Sequence, residues 1–321
     1  MHSYIIRRIL QMIPVLFIVL IMIFTLMELA PGDASANFID PRMRAEDRAQ
    51  IQEAFGLDEP AYVRFFSWVT SAAQGDFGRS WQYRRPVTTV IGDMVGPTLA
   101  LATFALIISL LIGIPAGIIS ATKQYSTADN AMTVFSLLGL SMPSFFFALI
   151  LIRVFSVGLG WFPIFGLADV TYRPAHAFAW FIHRMWHLTL PAIVLGLAGT
   201  ASLMRYTRSS MLEVIKSDYI RTARAKGVKE KVVIYRHAFR NAMIPIITML
   251  GFYIPALIGG AVITESIFGI PGMGRLTVQA VNFRDNPVVI GVTVMIAVMT
   301  LVGMLIADIL YSVADPRIKY E

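Results

Sequence analysis

Six long apolar runs alternate with polar stretches along the chain, at residues 9–30, 97–121, 131–157, 188–204, 242–265 and 287–311. A helix rises 1.5 Å per residue, so each run reaches the roughly 17 residues that a bilayer core of about 30 Å requires. The pattern predicts an all-α, polytopic membrane protein with six transmembrane helices. Arg7 and Arg8 precede the first run, and Ala34-Ser35-Ala36 after it resembles a signal-peptidase site. The run has 22 residues, longer than the roughly 7 to 15 of a cleaved signal's apolar core. It is therefore read as a retained first helix with its N-terminus in the cytoplasm.

Residues 31–96 form the one sizeable polar region, expected outside the membrane. Residues 46–55 and 62–73 pattern as amphipathic helices, with Gly56 and Gly75 as stops and Asp58 and Pro60 as start signals. Phe66, Val69 and Ala73 fall on one face of the second. Without a disulfide the segment is too small to fold alone, and packing on the membrane helices or on a partner is expected. The chain thus divides into residues 1–30, the first helix; 31–96, the extracytoplasmic segment; and 97–321, a five-helix core containing a cytoplasmic loop at 205–240.

Prolines stand inside several runs, at Pro14, Pro115, Pro143, Pro191, Pro245 and Pro255. Gly113 with Gly117, Ala192 with Gly196, and Gly259-Gly260 supply small residues. Together they predict a bent helical bundle with close backbone approach, compatible with a pathway or with tight packing alone.

Composition agrees: 56% of residues are hydrophobic and only 15% charged, which excludes an ordinary soluble domain. The net charge of +7 sits beside apolar runs, where orientation and anionic lipid explain it, so no nucleic-acid partner is implied. The chain has no cysteine, which excludes disulfides and thiol chemistry. Between residues 205 and 240 ten cations face only three acids, Glu213, Asp218 and Glu230. Such an excess marks a cytoplasmic face. With both termini inside, 15 cations fall inside and 11 outside, most of the latter in the long outer segment.

Within the basic loop, Ser217 is placed to cap a short helix. Asp218 suits its positive end, Arg224 and Lys226 its negative end, and Gly227 a left-handed stop. A second helical run starts at Lys229. A solvated loop that only sets topology is an equally compatible reading of the charge.

No HExxH, GxSxG or GxxxxGK[ST] pattern occurs, so the chain is not read as an enzyme, and ATP-driven work would belong to a separate subunit. His183 and His187 share a helix face, with His176 a further step away, a spacing metal ligands use. No carboxylate or cysteine accompanies them in sequence, and Trp180, Arg184 and Trp186 pattern as an interfacial belt; no metal site is assigned. Glu28, Arg153, Glu265 and Asp308 are ionisable residues in or near apolar runs. Three of them lie near run ends within reach of water; Arg153 lies clearly inside, where it would line a pore or pair with a carboxylate.

These stretches resemble the permease subunits of bacterial ABC importers in the peptide and nickel branch, and more closely the first-type dipeptide or oligopeptide permease with a long first outer segment. The resemblance rests on Tyr4-Ile5-Ile6-Arg7-Arg8-Ile9, Pro31-Gly32-Asp33, Phe55-Gly56-Leu57-Asp58-Glu59-Pro60 and Gly75-Asp76-Phe77-Gly78-Arg79-Ser80. It continues through Ser141-Met142-Pro143-Ser144-Phe145, His187-Leu188-Thr189-Leu190-Pro191 and Ala223-Arg224-Ala225-Lys226-Gly227. It ends with His237-Ala238-Phe239-Arg240-Asn241-Ala242, Thr264-Glu265, Pro271-Gly272-Met273-Gly274 and Asp315-Pro316-Arg317.

In the wider family the basic loop carries EAAxxxG and forms a coupling helix that docks on the ATPase. Here Gly227 matches the glycine and Ala223 the second alanine, while Arg221 and Thr222 replace the Glu and first Ala. The resemblance implies coupling residues Asp218, Tyr219, Arg221, Thr222, Ala223, Arg224, Ala225, Lys226 and Gly227; Arg153, for its charge inside an apolar run, and Glu265 and Phe268 are the candidate pathway or gate residues. It implies a multi-pass protein of the bacterial cytoplasmic (inner) membrane that binds no cofactor itself. The implied partners are a second homologous permease, two ATP-binding subunits carrying ATP and Mg, an extracytoplasmic solute-binding protein, a peptide substrate and membrane lipid. Dipeptides, longer peptides, glutathione and nickel chelates all remain open as cargo. The alternative is a proton-coupled secondary transporter acting alone through Glu28, Asp308 or Glu265.

Overall fold

In the computed structural model, which describes residues 2–29, 59–169, 171–173 and 175–314, the apolar runs are mostly helical. Helix α1 (His2–Glu28) carries Pro14 without breaking, and α2 (Ala61–Ala73) starts after Pro60, whose fixed φ of −55° suits a helix entry. Helix α3 (Val87–Thr122) includes Pro97 and Pro115. Helix α4 (Thr127–Ser141) is capped by Ser126, which accepts the Asp129 N–H, and α5 (Ser144–Leu151) continues as π-helical turns over Ile152–Gly158. Helix α6 (Ala177–Ile215) leads to the short α7 (Asp218–Ala225). After one turn at Glu230–Val232 and a π-helical stretch at Val233–Ala238 come α8 (Phe239–Gly259), α9 (Val262–Ile267), α10 (Met273–Asn282) and α11 (Asn286–Ala314). The residues 46–55, Ala34-Ser35-Ala36, Pro31-Gly32-Asp33 and Asp315-Pro316-Arg317 lie outside the described residues.

Among the described residues, four helices are long and apolar enough to cross a membrane, in α1, α3, α6 and α11, and a fifth if the bent pair α4–α5 is counted as one span. The run at 131–157, whose Pro143 is among the prolines that predict bends, is bent by 106° between α4 and α5. The cause is local: the residue before a proline is pushed out of the helical region, and Met142 (ψ 123°) and Pro143 (ψ 129°) are both extended. The run at 242–265 is also divided. Helix α8 stops at Gly260, whose φ of +80° favours glycine, and a Cβ there would lie 2.3 Å from the Gly274 nitrogen.

The residues form two contact-defined units. In the first, residues 1–93 with 277–298, Leu20 and Ile23 of α1, Phe65 of α2, and Ile290 and Val294 of α11 bury one another. The Phe65 ring meets Phe17 and Phe24 edge-on, with centroids 5.7 and 5.4 Å apart. The inward face of α2 runs through Phe65, Trp68 and Val69 rather than Phe66, which is 57% exposed. Glu28 and Arg64 form an ion pair across α1 and α2. The buried Asp285 carboxylate accepts the Ser80 hydroxyl and the backbone N–H groups of Trp81 and Gln82, both at 3.1 Å, and so closes the tight loop before α3.

In the second unit, residues 94–276 with 299–321, α3 and α6 touch through glycine. A Cβ on Gly113 would lie 2.8 Å from the Thr200 carbonyl oxygen, and one on Gly117 2.5 Å from the Thr207 Cβ. One core gathers Leu101, Leu151, Leu188, Leu190, Phe268 and Ile270; another gathers Ile118, Met211, Ile220, Val233, Ala238 and Ala242. By contrast Ile6, Leu10, Ile13 and Ile18 of α1 stay exposed. Water would penalise that stripe at roughly 25 cal/mol per Å², whereas hydrocarbon does not.

Candidate functional site

The basic stretch is only partly a loop. Residues 205–215 continue α6, where Thr207 and Met211 are buried against the bundle, so burial extends the helix past its apolar run. The separate element is α7, and it is two-sided. Ile220 is fully buried and Ala223 partly so, three positions apart on one face, while Asp218, Tyr219, Arg221, Thr222, Arg224, Ala225 and Lys226 are exposed.

The start of α7 differs from the expected cap: Ser217 makes no side-chain bond to the helix N-terminus, and its hydroxyl donates back to the Val214 carbonyl at 2.6 Å. The end follows expectation in full. Gly227 has φ +74°, its N–H donates to the Arg224 carbonyl at 2.9 Å, and the Val228 N–H donates to the Ala223 carbonyl at 3.3 Å. That pair of bonds, with Val228 and Ala223 packed in the same cluster, is a complete Schellman stop.

Three further contacts hold the element. Arg224 donates to Glu230 through Nη2 (2.7 Å) and Nε (3.2 Å), joining the end of α7 to the next turn. The guanidinium beside Glu230 holds that carboxyl below the usual carboxylate range, and the Arg224 pKa is raised in return. The Asn241 amide donates to the Tyr219 hydroxyl at 3.0 Å. Just upstream, Arg208 donates to both oxygens of Asp129, a carboxylate only 3% exposed that also accepts the Ser120 hydroxyl and, at 2.9 Å, the Tyr125 N–H. Four donors fill its acceptor positions. This brace joins α3, α4 and α6 and escaped sequence reasoning: Arg208 was one cation among ten, and Asp129 lies 79 positions away.

Glu265 sits elsewhere than expected. It was placed within reach of water, yet it is 0% exposed. Its carboxylate accepts the Thr98 hydroxyl (2.8 Å), the Arg275 N–H (3.0 Å) and the Ala261 N–H (3.3 Å). Arg275 stands in the first turn of α10, so the carboxylate caps that helix, and Thr98 Oγ1 accepts the Met273 N–H at 2.8 Å beside it. A Cβ on Gly272 would come within 2.4 Å of the Glu265 Cδ, which explains a glycine in the Pro271-Gly272-Met273-Gly274 turn.

Phe268 is buried in the same fold, and its carbonyl accepts the Gly166 N–H at 2.8 Å. Arg153 lies in the π-helical turns, exposed. The structure therefore groups the α7 residues into one surface, brings Glu265 and Phe268 into one turn, and leaves Arg153 apart from both. A cavity of about 310 Å³ lies between α3, α6 and α8, with the hydroxyl-bearing Ser109, Ser202 and Tyr253 in a largely apolar wall. The histidine pair also departs from expectation: the Asp169 carboxylate lies 3.6 Å from His183 Nε2 and 3.8 Å from His187 Nε2.

Comparison with known proteins places these features in a lineage. Residues 113–320 match the family model described as binding-protein-dependent transport system inner membrane component, and residues 1–102 match the N-terminal model of such membrane components. The chain is 47% identical over 321 residues to the oligopeptide transport system permease protein AppB of Bacillus subtilis, with 100% of both chains covered. It is 39% identical to the dipeptide transport system permease protein DppB of Alkalihalophilus pseudofirmus, and 38% identical to the glutathione transport system permease protein GsiC of Escherichia coli K12, again with 100% of each chain covered. Among solved structures, the MetNI methionine ABC transporter in an inward-facing conformation superposes with a TM-score of 0.52 at 14% identity, covering 70% of this chain and 96% of that one.

Proposed function

Because the chain belongs to the family of binding-protein-dependent transport system inner membrane components, we propose that it forms half of the translocation pathway of a peptide importer and that α7 is where ATP-driven motion enters it. The chain is a multi-pass membrane component and not an enzyme; ATP hydrolysis belongs to separate subunits of such systems. The proposed partners are a second, homologous permease, two ATP-binding subunits that hold ATP and Mg, and an extracytoplasmic solute-binding protein. Peptide cargo is supported by the oligopeptide, dipeptide and glutathione permeases among the relatives.

The observation that carries the reading is the two-sidedness of α7. Ile220 and Ala223 anchor it to the bundle, while seven neighbouring residues face outward with a net positive charge. A short helix with a fixed stop moves as a unit, and packed interfaces of this kind switch between discrete arrangements. Six crossings with both termini in the cytoplasm are supported by α1, α3, the bent α4–α5, α6, α8 and α11, together with the cation bias.

A lone proton-driven transporter needs carboxylates free to load and release protons. Glu28 is engaged by Arg64, and Glu265 by three donors, which favours the importer. Reconstitution tests the choice. The chain alone in vesicles should take up no labelled peptide under a pH gradient, and uptake should appear once the second permease, ATPases, binding protein and ATP are supplied. Gradient-driven uptake by the chain alone would overturn the proposal.

A further inference from the structure

Three electron-rich atoms converge where the connection between α5 and α6 folds back on α6. His187 Nδ1 lies 3.1 Å from the Gly166 carbonyl oxygen, a contact that is a hydrogen bond only if Nδ1 carries the proton. Nε2 then bears a lone pair. Among the described residues it has no hydrogen-bond partner, and the side chain is only 1% exposed. His183 Nε2 accepts the Asp169 N–H at 3.2 Å, so it too is an unprotonated nitrogen, its lone pair held by that backbone donor. The third atom is an oxygen of the Asp169 carboxylate, and the three ligand atoms lie within 4.8 Å of one another. His176 is not part of the group: its Nδ1 accepts the Ala179 N–H and caps α6.

Two unprotonated imidazole nitrogens and a carboxylate gathered within 4.8 Å suit a positive species between them. The separations from Asp169, 3.6 and 3.8 Å, are too long for direct hydrogen bonds. They lie close to the roughly 3.3 Å that separates donors around a tetrahedral ion with bonds of about 2.0 to 2.1 Å. We propose that Asp169, His183 and His187 bind one divalent transition-metal ion of the zinc class, fastening the connection before α6 onto that helix.

The supporting contacts are those a ligand set needs. The Gly166 carbonyl orients His187 through the far ring nitrogen, as outer-shell acceptors do at metal sites. Tyr172 stacks on His183 with centroids 3.9 Å apart and planes 11° from parallel, which fixes that ring. Asp169 is 63% exposed, so an ion can enter and keep water as a fourth ligand. On binding, His183 Nε2 exchanges the Asp169 N–H for the metal, and the three ligand atoms, within 4.8 Å of one another without it, draw together. Gly166 also donates to Phe268, so the fastened connection reaches the turn after α9. The site is independent of α7 and of the proposed cargo.

The test uses the assembled transporter, purified on a tag without histidine, stripped with EDTA and titrated with Co²⁺. A tetrahedral nitrogen and oxygen site gives strong visible bands, with one ion bound per chain, displaced by Zn²⁺ and not by Mg²⁺. Asp169→Asn and His183→Gln should each weaken binding at least about tenfold and abolish the rise in thermal midpoint that Zn²⁺ produces in the unaltered protein. Because Asp169 is exposed, its substitution leaves the fold intact even if a change at the buried His187 does not. Absence of a saturable Co²⁺ complex, or unchanged affinity in Asp169→Asn, would overturn the proposal.

Discussion

Arg208 holds Asp129 with two nitrogens at once, Nε to Oδ1 at 3.0 Å and Nη2 to Oδ2 at 3.1 Å. Removing one member of such a pair strands the other. Arg208→Ala leaves a nearly buried carboxylate without its counter-charge; because the arginine is 29% exposed, the expected loss is about 2 kcal/mol, below the full cost at a buried site. Arg208→Ala combined with Asp129→Asn should lose less than the sum of the single changes, read from thermal denaturation of the purified complex. Additive losses would mean that the two residues act separately.

Gly227 closes α7 at φ +74°, and its N–H is used. Gly227→Pro loses both the angle and the donor. The protein should insert at ordinary levels, but the assembled complex should show no substrate-stimulated ATP hydrolysis; Gly227→Asn, which tolerates the left-handed region, should retain most of it. Full stimulation in the proline variant would remove α7 from the coupling route.

Glu265 needs two accepting oxygens. Glu265→Gln places an amide donor where one carboxylate oxygen accepted, setting a donor against a backbone N–H, at an expected cost of roughly 1–3 kcal/mol. Gly272→Ala should cost a similar amount by pressing on the same carboxylate, and the double variant should fall short of the sum. Melting curves of the three variants check this.

Acid should loosen the join after α7. The Glu230 carboxyl lies below its ordinary value through Arg224, so the pair stabilises above the unfolded carboxylate range of about 4.3 and fades as pH falls through the lowered value. With side chains 55% and 40% exposed, the effect is about 0.5 kcal/mol and is screened by salt. The protection factor at Val228, its exchange rate set against the intrinsic rate at the same pH, should fall roughly twofold on acidification, and Glu230→Gln should show that lower protection at neutral pH. Identical exchange in wild type and variant at pH 7 would deny the pair any role.

With no native cysteine, topology can be mapped by adding one. Ala225→Cys should react with a membrane-impermeant maleimide only from the cytoplasmic side, and Gln74→Cys only from the outside. Labelling of both from one side would refute the proposed crossings.

The helices were legible because apolar runs repeat at membrane length, and the stop at Gly227 because one glycine after basic residues has few other meanings. The break at Pro143 was half legible: a proline marks a perturbation, but whether it kinks or ends a helix depends on where Met142 can go. The Glu265 cap was not, since its hydroxyl donor is Thr98, 167 positions away. Asp169 likewise reaches the histidines only after the connection folds back. Local chemistry is written in neighbouring residues, and convergent chemistry is written in packing.

Glycine contact between α3 and α6 has a mechanical side. With Gly113 against Thr200 and Gly117 against Thr207, the two helices have no slack in which to slide, so they turn as one shaft. Helix α6 has 39 residues, about 58 Å at 1.5 Å each, nearly twice the hydrocarbon thickness. Under the proposed coupling role a push at its far end acts with leverage, and a Cβ at either glycine, 2.8 or 2.5 Å from α6 atoms, would force the two helices apart.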